Sequence, residues 1–205
     1  MIVLGITGGV GSGKSKVLYE LQEKYNAYVV EADKLAHELM MPGEAIYNTI
    51  IEVFGMDIIS KTSPHQIDRH KLGNIVFNNK EKLELLNSIT HPLVKANILE
   101  QINFQKSINT KLFVIEAALL IEDGYKDICD SIWYIWVDKE IRIKRLIDSR
   151  GYSKEKCISI FNSQKEDAYY ISNSDATIDN SSSYEITSKQ LKVLLNKLLN
   201  NDIIS

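Results

Sequence analysis

The chain opens with an apolar stretch, Ile2 to Ile6, that reads as a short buried strand. A glycine cluster follows, and Lys14 to Tyr25 then has helical spacing, with Val17, Leu18 and Leu21 on one face. Tyr28-Val29-Val30 predicts a second short strand. From Asp33 to Phe104 no strong strand pattern occurs. Helices are expected there, broken at Pro42-Gly43, Ser63-Pro64 and His91-Pro92. Leu112 to Ile121 is nearly all apolar, the pattern of a central parallel strand buried on both faces. Ile132 to Val137 predicts another strand and Lys139 to Ser149 a helix. A further helix begins at Ser153, with Glu155 in its first turn. Ala176-Thr177-Ile178 is the last strand, and Leu191, Leu194, Leu195, Leu198 and Leu199 mark an amphipathic closing helix. Strands separated by helical segments imply βαβ units and a parallel sheet, hence an α/β fold. The helical middle is most simply an insertion at one edge of that sheet.

Composition narrows the class. The 205 residues fit one domain with an insertion or two small lobes, and 44% apolar content supports a real core. A net charge of −3 gives no footprint for nucleic acid or an anionic membrane. Cys129 and Cys157 are far apart and lack metal-ligand spacing, which excludes a disulfide scaffold and suits a reducing compartment. No basic region precedes Ile2, and the apolar run is too short for a signal peptide or a membrane span. A cytoplasmic protein is expected, with no obligate protein partner indicated.

Gly8-Gly9-Val10-Gly11-Ser12-Gly13-Lys14-Ser15 matches the Walker A pattern. Its glycines let the backbone curl so that N–H groups converge on phosphate oxygens. The helix that follows presents its positive end to the same anion. Lys14 is then placed to reach the β and γ phosphates, and the Ser15 hydroxyl to hold Mg2+. A glycine turn could match by chance, but this one lies between a buried strand and a helix, the context the motif requires. A GTPase would need switch and base-specificity motifs, and none is apparent.

Other charged residues have two readings each. Glu31-Ala32-Asp33 lies at the C-terminal end of the second strand, the edge where doubly wound sheets bind ligands. Asp33 there is either a base for an acceptor hydroxyl or the N-cap of a helix starting at Lys34. Glu116, inside an apolar strand, needs a partner, either Mg2+ through water or Lys14. Arg142, Arg145 and Arg150 either face a transferring phosphate or form a solvated helix face.

Taken together, these residues resemble the dephospho-CoA kinase family over nearly the whole chain. Thr7 to Ser15 is similar to the family's opening loop, and Glu31-Ala32-Asp33 to its Asp-Ala-Asp signature. Asp68-Arg69 with Leu72, Ile75-Val76-Phe77 and Ile89-Thr90-His91-Pro92 resemble its acceptor-binding segments. Leu119-Leu120-Ile121-Glu122, Arg145-Leu146 and Ser174 to Asn180 follow in family order.

The resemblance implies a three-layer P-loop kinase with a five-stranded parallel sheet. Residues 1–32 and 110–205 would be the nucleotide-binding core, with a lid at about 149–170, and residues 33–109 a helical acceptor-binding insertion. It implies ATP and Mg2+, and transfer to the ribose 3′-hydroxyl of dephospho-CoA. ATP would be held by Gly9, Gly11, Ser12, Gly13, Lys14, Ser15, Lys16 and Asn180, and the metal by Ser15 and Glu116. Asp33 would be the base, Lys14, Arg145 and Arg150 catalytic, and Arg69, His91 and Leu119 acceptor-binding with Asp33. Arg142 stands where the family often has glutamine, Ser149 where an arginine is expected, and Tyr170 where a basic residue is frequent. Alternatives are another small-molecule kinase, or a diverged nucleotide-binding relative with little activity.

Overall fold

In the computed structural model, which describes residues 1–77 and 79–201, β1 (Ile2–Thr7) is buried at every position. Its neighbours are β3 (Leu112–Glu116) on one side and β4 (Ser131–Trp136) on the other, both parallel to it. Ile6 is level with Glu116 and with Trp133, so the three strands end at one edge. With β2 (Tyr28–Glu31) and β5 (Ala176–Asp179) the sheet has the order β2-β3-β1-β4-β5. The order reverses direction at β1, and that reversal opens a crevice beyond its C-terminal end.

Alternation along the strands fills one face. Ile2, Leu4 and Ile6 join Val114, Trp133, Ile135 and Ile178 in a cluster with Leu18 and Leu21 of α1 (Lys14–Tyr25) and Leu191 and Leu195 of α9 (Tyr184–Asn201). On the other face Gly5 has no side chain, and Leu120 and Cys129 close in to about 3 Å of where its Cβ would sit. The apolar run at 112–121 is therefore not all strand. β3 stops at Glu116, and Leu120 belongs to the turn that folds back over β1, fully buried there. Such a run cannot by itself distinguish continued pairing from a packed turn.

Two compact units divide the chain: Met1–Val30 with the chain from Ile108 onward, and Glu31–Ser107. The first also carries α6 (Lys139–Arg150), α7 (Lys154–Asn162) and α8 (Asp167–Ser172). Asp138 caps α6, accepting from the Glu140 and Ile141 N–H groups, and Gly151 ends it in a left-handed turn. The second unit packs α2 (Ala32–Leu39), α3 (Tyr47–Phe54) and α4 (Arg69–Phe77) on α5 (Lys80–Ser107).

The proline at 92 does not break a helix, contrary to the sequence expectation: α5 runs 28 residues straight through it. Proline removes one backbone donor and normally stops or kinks a helix. Here Val94, Ile98 and Ile102 bury a continuous stripe on the far side of it, and that packing outweighs the lost bond. Thr90 and Ser88 also turn their hydroxyls back onto the Leu86 and Leu85 carbonyls, at 3.0 and 2.8 Å. Among the described residues no helix is long and apolar enough to cross a membrane.

Candidate active site

The glycine cluster folds as a cradle at the end of β1. Gly11 and Gly13 both lie in the left-handed region, at φ +84° and +82°, which side chains rarely adopt. A Cβ on Gly13 would also meet the Asn180 Nδ2 at 2.5 Å. Gly13 precedes α1 without any side-chain cap; the Lys16 N–H turns back onto the Gly13 carbonyl at 3.1 Å, and the Lys14 and Ser15 N–H groups ahead of it face the position of an anion at a helix start. Within the loop, the Ser12 N–H donates to the Gly9 carbonyl at 3.1 Å. The Thr7 and Ser12 hydroxyl oxygens are buried without a protein partner.

Lys14 arches over this loop. Its Nζ donates to the Gly8 carbonyl at 2.6 Å and lies 3.4 Å from Glu116 Oε1. Of the partners open to Glu116, the structure supplies the lysine. The lysine is thus held extended along the loop's opening residues before any phosphate arrives. Ser15 is exposed one residue on. Among the described residues no group of three or more His, Cys, Asp or Glu could hold a metal. The Ser15 hydroxyl and the Glu116 carboxylate are oxygen donors of the kind Mg2+ takes, one or two from protein with substrate phosphates and water completing the shell. Lys16 turns away from the cradle, its Nζ 4.2 Å from the centre of the Tyr184 ring.

Two side chains from distant sequence close the cradle. Asn180, 5% exposed, donates from Nδ2 to the Ser12 carbonyl at 2.7 Å and accepts from the Thr187 hydroxyl at 2.8 Å. Arg145 donates to the Asn180 carbonyl at 2.8 Å. Arg150 is different: it is exposed at the end of α6, with its guanidinium 6.0 Å from the Tyr152 ring. Leu119 is exposed in the turn after β3.

Behind α6 and α8 lies a buried polar group that the sequence did not announce. The Tyr134 hydroxyl and the Trp136 Nε1 donate to the two oxygens of Asp167, at 2.7 and 2.8 Å. Burial first, and then the Asp167 carboxylate, push the Tyr134 phenol far above its ordinary range. Tyr170 stacks on Tyr134 at 5.1 Å. The start of α8 is in this way fixed to β4.

In the helical unit, Asp33 occupies the first turn of α2, whose N-cap position is Glu31. Asp33 is therefore not the helix cap, and it is exposed. One turn on, His37 borders a cavity of about 530 Å³ that also has Arg69, Met40, Leu72 and Val76 in its walls. Burial, then the neighbouring Arg69 charge, lower the His37 pKa, and Asp33 opposes the shift. Asp68 caps α4, its Oδ1 accepting from the His70 and Lys71 N–H groups at 3.0 and 3.2 Å. That cap fixes where Arg69 begins the helix. His91 lies within α5, five residues beyond the cavity residue Leu86 and so about 140° around the helix from it.

The structure thus gathers Gly9, Gly11, Ser12, Gly13, Lys14, Ser15, Glu116, Arg145 and Asn180 at one edge of the sheet. It sets Arg69 in a cavity with His37, and leaves Arg150 exposed at the end of α6 near Tyr152. Sequence reasoning missed His37, Asp167 and Gln164, the last of which accepts from the Arg142 guanidinium on Oε1 at 2.7 Å. The i, i+4 spacing from Asp33 could have pointed to His37. Nothing in the local pattern marks the other two.

Residues 2–185 match the family described as dephospho-CoA kinase. A dephospho-CoA kinase of Carboxydothermus hydrogenoformans is 38% identical over 195 residues, 95% of this chain and 93% of its own length. One from Geobacillus kaustophilus is 34% identical over 194 residues, 95% of each chain. The solved dephospho-CoA kinase from Campylobacter jejuni covers 98% of both chains at 27% identity, with a TM-score of 0.71. A shikimate kinase from Bacteroides thetaiotaomicron, 13% identical with a TM-score of 0.55 and covering 96% of this chain and 98% of its own, shares the fold alone.

Proposed function

The chain belongs to the dephospho-CoA kinase family, and from that premise we propose that it transfers the γ-phosphoryl group of ATP to the ribose 3′-hydroxyl of dephospho-CoA. The observation that carries the reading is the uncapped glycine cradle with Lys14 stretched along it from Gly8 to Glu116.

In this reading the loop N–H groups of residues 9–16 and the Lys14 ammonium hold the phosphates of ATP. Bound Mg2+, held by the Ser15 hydroxyl and facing Glu116, would neutralise charge on the β and γ oxygens. Asn180 engages the Ser12 carbonyl through its amide, so that this acceptor is satisfied within the protein. Arg145 and Arg150 bring positive charge to the transferring group, Arg145 from its tether on Asn180 and Arg150 from the lid. The helical unit, residues 33–109, takes the acceptor. There Asp33 accepts the proton of the attacking hydroxyl, and Arg69 and His91 hold the rest of the molecule; Leu119, outside that unit, is a further acceptor-binding residue. Closure of the lid, about residues 149–170, excludes water that would otherwise take the phosphoryl group.

ADP release with Mg-ATP, measured with and without dephospho-CoA and with the product identified by mass, tests this reading. Dephospho-CoA-dependent release with coenzyme A as product is the expected outcome. Transfer only to a different acceptor, or ATP binding without transfer to any, would sink it.

A further inference from the structure

Arg142 is a buried cation without an anion of its own. The residue is 7% exposed; its guanidinium lies over the Phe161 ring at 4.2 Å and donates from Nε to the Val10 carbonyl at 3.1 Å. One terminal nitrogen donates to Gln164 Oε1 at 2.7 Å. Both acceptors are neutral. Among the described residues no carboxylate stands at ion-pair distance from it. Asp167 favours the charged guanidinium from a distance, but its two oxygens are engaged by Tyr134 and Trp136. Burial works against the charge. An arginine nevertheless stays ionised in a protein, and a desolvated charge is costly unless an anion faces it.

The place of this cation indicates the missing anion. A Cβ built on Gly9 would collide with the Arg142 guanidinium, so the side chain lies directly against the phosphate loop. It touches the loop at Gly9 and Val10, next to Gly8, whose carbonyl holds Lys14. That lysine serves the β and γ phosphates of a bound nucleotide. Of the five N–H donors of a guanidinium, two are used by Val10 and Gln164, leaving three. Beside it lies a cavity of about 440 Å³ whose walls carry Lys139 and Lys165 together with the carboxylates of Glu166 and Asp167. Ser149, on the same helix as Arg142, and Tyr170, on α8, carry no charge.

We propose that Arg142 is a further phosphoryl-binding residue of this kinase, aimed across Gly9 at the terminal phosphate of ATP. The inference rests on the ATP site of the reading above, but not on the identity of the acceptor. Its rival is a purely structural role, with Arg142 tying the Phe161–Gln164 segment to the loop.

Calorimetric titration of the full chain with Mg-AMP-PNP and with Mg-ADP separates the two. Arg142→Gln keeps hydrogen-bonding capacity but loses the charge. It should weaken AMP-PNP binding about tenfold or more and ADP binding less than about threefold. Gln164→Leu cuts the tether and leaves the charge, so AMP-PNP should bind within about threefold of wild type. Equal AMP-PNP affinity in Arg142→Gln and wild type would overturn the proposal, as would an equal loss for both nucleotides. If Arg142→Gln fails to fold, Arg142→Lys decides. It keeps the stem and charge but loses the planar fork, so it should still lose AMP-PNP selectively, and unchanged affinity would overturn the proposal. These titrations need no acceptor, so failure to phosphorylate dephospho-CoA would leave the Arg142 result standing.

Discussion

The Nδ2 of Asn180 reaches the carbonyl of Ser12 across 168 positions of sequence, at 2.7 Å, with both groups buried. The last strand of the sheet thereby holds the phosphate loop that follows the first. The same asparagine receives Thr187 on its amide oxygen and Arg145 on its backbone carbonyl. The loop, α6 and the closing helix therefore meet on one residue.

Asn180→Ala should lower the thermal midpoint and weaken ATP binding together, since the Ser12 carbonyl loses its donor and Thr187 keeps only a long 3.5 Å bond to the Asp179 carbonyl. Each buried orphan costs about 1–3 kcal/mol. Melting with and without Mg-ATP checks this: a midpoint equal to wild type would show that the bond carries no load.

Lys14→Met should reduce kcat/KM for ATP by about a hundredfold or more, the scale of losing a group aimed at developing charge. Glu116→Gln keeps a hydrogen-bond acceptor near the Lys14 ammonium and should cost less. Steady-state kinetics of the two variants check the order, and a larger loss in Glu116→Gln would move the key contact from lysine to carboxylate.

Asp33→Asn should lower kcat about 100- to 10,000-fold if it removes a general base, with ATP affinity unchanged. Asp33 is exposed and does not cap α2, so the fold should tolerate the change. Undiminished transfer would take Asp33 out of the base role.

His37 makes a prediction about pH. Burial and Arg69 lower its folded-state pKa, against a partial pull from Asp33. The unfolded chain therefore binds the proton more readily. The contribution of His37 to stability is full above its unfolded value of about 6.5. It is lost as pH falls from there through the lowered folded value. His37→Gln should flatten that part of the pH dependence of the melting midpoint, and an unchanged slope would count against it.

Gly13→Ala should nearly abolish nucleotide binding while the sheet survives. It combines a left-handed φ of +82° with a Cβ 2.5 Å from Asn180 Nδ2. Far-ultraviolet circular dichroism together with ATP titration checks both halves. ATP affinity within a few-fold of wild type would show that the loop can reshape.

Much of this was legible in the chain. The phosphate loop is a local object, because its glycines, lysine and serine are consecutive and elementary sterics dictate what they do. The buried strands announced themselves because a residue covered on both faces must be apolar. Where the sequence misled, packing had replaced propensity. Pro92 sits inside α5 because Val94, Ile98 and Ile102 bury its flank. Leu120 looks like strand but serves as a lid over Gly5.

By itself the sequence determined the parallel α/β sheet, the anion cradle and the lysine within it, all short-range consequences of periodicity and backbone sterics. Only the tertiary structure decided that Asn180 clamps Ser12, that Asp167 holds Tyr134 and Trp136, and that Arg142 lies unpaired against Gly9. Each of those depends on bringing together groups far apart in the chain and withdrawing them partly or wholly from solvent. Burial of that kind turns an ordinary polar residue into one that must find a partner.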